Sequence, residues 1–115
     1  MADKFSVKIL EEAALFLDQL DEKSRDKIIY NIHKAQRTND KELFKKLQGE
    51  IWEFRTLYNK TYYRLLAFWD KTDKNLTLVI STNGFIKKTD KTPKGEIAKA
   101  EQIRLNYFEH KTKKK

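Results

Sequence analysis

Apolar residues recur along the chain with two different periods. From Leu10 to Ala35 they repeat every three or four positions; from Ile51 to Phe85 they alternate or run together. Leu10, Ala13, Ala14, Leu17 and Leu20 form one helical stripe, and Ile28, Ile29, Ile32 and Ala35 form a second. Asp21 stands where an N-cap of the second helix is needed. Two amphipathic helices joined by so short a turn predict a helical hairpin, ended by Thr38–Asp40. Ahead of it, residues 4–9 (KFSVKI) alternate and predict a short first strand. Leu43, Phe44 and Leu47 predict a short turn of helix or an anchoring loop.

The second half is rich in aromatic and β-branched residues. Ile51–Leu57 (IWEFRTL), Tyr62–Asp70 (YYRLLAFWD) and Leu76–Phe85 (LTLVISTNGF) predict three strands. The polar breaks Asn59–Lys60 and Lys71–Asn75 have hairpin length, so the strands are expected in an antiparallel meander. Thr92 as N-cap and Pro93 at the first helical position then open a last helix, with Glu96 complementing its first turn. Ile97, Ala100, Ile103 and Tyr107 give that helix an apolar face. The expected order is (β)ααβββα, an α+β architecture in which a helical hairpin packs on a small sheet.

The chain has 115 residues, enough for one modest core. A single domain over 1–110 with a basic tail at 111–115 is expected. No apolar run has the length of a membrane span, and no leader pattern is visible, which suggests the cytoplasm. There are no cysteines, and the two histidines, His33 and His110, are far apart, so neither a disulfide framework nor a metal site is expected. The formal net charge is +8. Residues 1–83 carry 15 Lys+Arg against 13 Asp+Glu, whereas residues 84–115 carry 10 against 4. That asymmetry points to an anionic partner for the C-terminal third. The stretch GFIKKTDKTPKGEI (84–97) places four lysines where the last strand gives way to the last helix.

Alternation along strands sorts the charges by face. Trp52 and Phe54 share one face of their strand, set toward the helical hairpin, and Glu53 and Arg55 share the other. Tyr62 and Arg64 share a face of the next strand. Lys87 and Lys88 end the third, one expected on each side. Cations from three neighbouring strands with Tyr58, Tyr62 and Tyr63 nearby suit RNA or single-stranded nucleic acid: cations hold phosphates and rings stack on bases. The residues by themselves therefore describe a small basic α+β domain that binds nucleic acid.

The blocks LFKKLQGEIWEFR, YYRLLAFWD and GFIKKTDKTPKGEIAKAE, in this order, resemble the RelE/ParE toxin superfamily and, within it, the phage-derived HigB-like branch. The resemblance covers roughly Leu43–Tyr107. It implies a RelE-like fold and the toxin of a type II toxin–antitoxin system: a metal-independent endoribonuclease that cuts mRNA on the ribosome, needs no cofactor and arrests translation. In that chemistry the 2′-hydroxyl attacks the adjacent phosphate, leaving a 2′,3′-cyclic phosphate and a 5′-hydroxyl.

Position by position, the resemblance assigns Arg55, Arg64, Lys87 and Lys88 to the catalytic phosphate site. Lys45, Lys46, Lys91, Tyr58 and Tyr62 are then RNA-binding candidates. Glu53 and Tyr107 are candidates for the acid or base. Tyr107 and His110 fall outside the matched motifs. Arg64→Ala is expected to abolish growth arrest with the fold intact. The implied partners are a cognate helix-turn-helix, HigA-like antitoxin, mRNA and ribosomal RNA, with no membrane. A ParE-like gyrase inhibitor and an inactive nucleic-acid-binding relative are the competing readings.

Overall fold

The computed structural model describes residues 3–113, and the side chains through residue 112. Its elements are β1 (Ser6–Ile9), α1 (Glu11–Asp18), α2 (Glu22–Arg37), β2 (Phe44–Gln48), β3 (Ile51–Tyr58), β4 (Thr61–Asp70), β5 (Leu78–Lys87) and α3 (Lys94–Lys113). The strands form one mixed sheet in the order β1-β5-β4-β3-β2. β2 to β5 make an antiparallel meander, and β1 closes its β5 edge in parallel register. The α1–α2 hairpin covers one face and α3 the other, an α+β arrangement of the RelE-like kind. No helix among the described residues is long and apolar enough to cross a membrane.

The helical hairpin forms as its pattern predicts. Asp21 caps α2, accepting from the Ser24 backbone N–H at 3.1 Å and from the Ser24 hydroxyl at 2.7 Å. These bonds hold the Asp21 carboxyl below its ordinary pKa. Ile28, Ile32 and Ala35 are buried against the sheet. Ile29 is 39% exposed, because a residue one step from Ile28 is rotated about 100° round the helix and leaves the buried stripe. Polar bonds fix the helix in place: Asn31 donates to Thr56, Gln36 to the Phe5 carbonyl, and the Tyr63 hydroxyl to Ser24.

The segment expected as a helical turn or loop is strand β2. Phe44 pairs with Phe54 across the ladder and stacks on it, ring centroids 4.3 Å apart, and this contact pulls the segment onto the sheet edge. Gly49, at φ +56°, makes the turn into β3. The β3–β4 turn uses Asn59 and Lys60, both at positive φ, as a tight two-residue hairpin requires.

β5 carries a bulge opposite Leu66–Ala67. Ser81 and Thr82 both donate their hydroxyls to the Leu66 carbonyl there. The extra residue shifts the alternation by one, so that Phe85 and Lys87 fall on the α3 face with Arg64. On the other face, Gly84 lies beneath α1; a Cβ built there would collide with the Phe16 ring and with Leu65 Cδ2.

α3 begins one residue later than expected. The Pro93 carbonyl accepts from the N–H groups of Glu96 and Ile97, which makes Pro93 the N-cap, and the Thr92 hydroxyl is buried with no partner among the described residues. Asn83 of β5 donates to the Glu96 side chain and carbonyl, pinning this end of the helix. The other end is pinned by Asp70, the last residue of β4. It is 1% exposed and accepts from the Tyr107 hydroxyl at 2.6 Å and from Lys111 Nζ at 2.7 Å. Lys111 is thus part of α3 and not of a tail; residues 114 and 115 of the expected tail lie outside the described residues.

Candidate functional site

Strand register assembles the site. Arg55 of β3 and Arg64 of β4 are direct cross-strand partners, and Leu57–Tyr62–Lys87 form the next row of the sheet. Like charges placed directly opposite on a sheet face repel, so this pairing needs a counter-charge. Glu53 supplies one. It lies two residues before Arg55 on the same face, with Oε1 3.5 Å from Arg64 Nε and Oε2 3.9 Å from Arg55 Nε. Glu53 is 2% exposed and Arg64 3%, a buried ion pair rather than surface charge. Burial pushes the Arg64 guanidinium below its ordinary pKa, Glu53 opposes that and Arg55 adds to it. An arginine stays protonated through such a shift.

These charges are not fully satisfied. Arg64 Nη1 donates to the Tyr63 carbonyl at 3.1 Å. Arg64 Nε, Arg55 Nε and Glu53 Oε1 are buried without a hydrogen-bond partner among the described residues. Both Nε groups instead face the Glu53 carboxylate, an ion pair held by charge. Beside it lies a cavity of about 330 Å³ lined by Arg55, Tyr62, Arg64, Lys87, Lys88, Thr89 and Asp90. The Tyr62 ring is half exposed, with Arg64 Cζ 5.8 Å from its centroid. Four cations and one carboxylate, Asp90, thus line the opening, with Glu53 buried beneath it, a surplus that suits a phosphate.

The structure gathers Arg55, Arg64, Lys87, Lys88 and Tyr62 around the cavity, with Glu53 buried against the two arginines, and leaves the remaining candidates out of its lining. Both lysines reach the cavity, although one was expected on each side; Lys88 lies beyond the end of β5 and escapes its alternation. Lys45 is the cross-strand partner of Glu53 on edge strand β2. Lys46 pairs with Trp52 and lines a different cavity. Lys91 is exposed in the loop, its carbonyl accepting from Thr89. Tyr58 shares the face of Phe54, not of Arg55, and packs against the core under the helical hairpin. Tyr107 is bound to Asp70, six residues from Arg64 along β4 or roughly 20 Å. Thr89 and Asp90 are cavity residues that the sequence reading passed over. The signal was there: Asp90 is the lone carboxylate in the run KKTDKTPK.

Fold and site together describe a RelE-like α+β protein with a cationic cavity on its sheet. Residues 15–105 match the family described as Phage derived protein Gp49-like (DUF891), and the chain belongs to that family, which is RelE- and toxin-like. No curated protein matches the chain.

Proposed function

We propose that this protein is the toxin of a type II toxin–antitoxin system, of the HigB-like kind, and acts as an endoribonuclease on mRNA engaged by the ribosome. The observation that carries this reading is the opposed pair Arg55 and Arg64, with Lys87 and Lys88 around one cavity. The two guanidinium groups hold the scissile phosphate and stabilise the charge that grows on it as the 2′-oxygen attacks. The P–O5′ bond then breaks, giving a 2′,3′-cyclic phosphate and a 5′-hydroxyl. Lys87 or Lys88 delivers the proton to the departing oxygen. Asp90, the carboxylate that lines the opening, accepts the proton of the 2′-hydroxyl. Glu53, buried against both arginines, positions them. A helix-turn-helix antitoxin encoded beside it is the expected inhibitor.

The test is a primer-extension map of a reporter mRNA on purified translating ribosomes, with a ribosome-free control. Cuts appear with the wild-type protein only where ribosomes are present. They fall by about 100-fold or more when Lys87 and Lys88 are both replaced by alanine. Folded wild-type protein that arrests growth yet cuts no RNA in either tube would overturn the nuclease reading and favour a gyrase inhibitor.

A further inference from the structure

A separate cavity of about 390 Å³ lies at the other end of β4, where the β2–β3 turn, the start of β3 and the last turns of α3 meet. Its walls are aromatic: Trp52, Trp69 and Phe108. The two indole rings meet edge to face, centroids 5.5 Å apart. Its rim is cationic: Lys46, Lys71 and Arg104, against one carboxylate, Glu50. Arg104 is held by two bonds of 3.0 Å to Glu101, whereas Lys46 and Lys71 are exposed. Lys71 Nζ stands 5.1 Å from the centre of the Trp69 ring. The Trp69 Nε1–H is buried and has no acceptor among the described residues.

Aromatic walls and flexible cations at the rim call for a ligand that is planar and anionic. A nucleotide has both properties. An acidic peptide would meet the lysines but leave the indole faces without a stacking partner. We propose that this cavity holds one nucleotide of a single-stranded RNA, a second contact about 17 Å along β4 from Arg64. The proposal takes its ligand class from the RNA reading of the Arg55–Arg64 cavity, which a short stretch of strand would reach from here. Lys46 and Lys71 hold the flanking phosphates, and Trp69 contributes part of the aromatic wall.

The chain's two tryptophans, Trp52 and Trp69, both line this cavity, so indole fluorescence reports on its occupancy. The experiment titrates the full chain with a short 2′-O-methyl oligoribonucleotide, which binds but is not cut. A saturable quench is expected. In the double variant Lys46→Ala, Lys71→Ala the affinity falls several-fold, and the slope of log affinity against log salt drops by about 1 to 2. Both lysines are exposed, so the fold is not at stake. Oligonucleotide binding with no change in indole emission overturns the proposal, as does wild-type affinity and salt slope in the double variant. A quench by the cognate antitoxin, with none by RNA, assigns the cavity to protein and overturns it too. A normal quench by a protein that cuts no mRNA removes the nuclease reading and leaves this site standing.

Discussion

Arg55 and Arg64 face each other across β3 and β4, and Glu53 lies within 4 Å of both. The trio is a single electrostatic unit, so stability and phosphate binding depend on the same atoms. Replacing Glu53 by Gln leaves two guanidinium groups opposed with no counter-charge. That change should destabilise the protein by about 3 kcal/mol, read as a lower urea midpoint. Arg64→Ala should be destabilising for the converse reason, because it strands a buried carboxylate. The expectation that this variant keeps its fold intact does not survive the burial of Arg64 at 3%. Loss of toxicity in it would mix folding with chemistry, and Lys87 and Lys88 are the cleaner targets.

Asp70 links stability to pH. Burial alone would raise its pKa, but the hydrogen bonds from Lys111, Tyr107 and Thr72 outweigh burial and hold it well below the carboxylate range. A depressed folded pKa means that the stabilisation is complete above the unfolded value near 4 and is lost as pH falls toward the folded value. Asp70→Asn should cost about 2 kcal/mol at pH 7. The gap between wild type and variant should narrow below about pH 4, measured by urea unfolding across a pH series.

Tyr107→Phe separates a structural tyrosine from a catalytic one. Burial, then the bond to Asp70, raises the Tyr107 pKa, so this group does not titrate near neutrality. The variant should lose about 1 kcal/mol of stability while its pH–rate profile for mRNA cleavage stays that of wild type. A cleavage rate that falls 100-fold with the profile altered would return Tyr107 to the list of acids and bases.

Gly84→Ala tests how tightly α1 sits on the sheet. The new methyl meets Phe16 and Leu65 at distances no packed core accepts, so α1 must lift or the rings must turn. A loss of about 1–3 kcal/mol is expected, seen in the thermal midpoint.

The helical hairpin and the three long strands were legible because their apolar periods are strong and Asp21 marks a helix start. β2 was not, because KELFKKLQ has no clear period; only the pairing of Phe44 with Phe54 makes it a strand. Which face a tyrosine occupies depends on parity, and Tyr58 was misread for that reason: its even number places it with Phe54. Lys87 was decided by a bulge at Thr82 that alternation does not announce. Glu96 was legible as a first-turn acid, but its bond to Asn83 joins elements that only the folded chain brings together. The cationic residues themselves were visible; the burial of Arg64 and Glu53 was not, because it depends on how α3 and the neighbouring strands cover them.

The parallel pairing of β1 with β5 joins Ser6, in the first strand, to Leu78, in the last. The hairpin that carries Arg55 and Arg64 needs only local contacts and can form early. The sheet cannot be closed until β5 has been synthesised, and α3 can be laid over it only after that. A nascent chain therefore holds the arginine pair before it holds the lysines and the finished scaffold. Assembly of the complete cavity waits for the segment that follows β5.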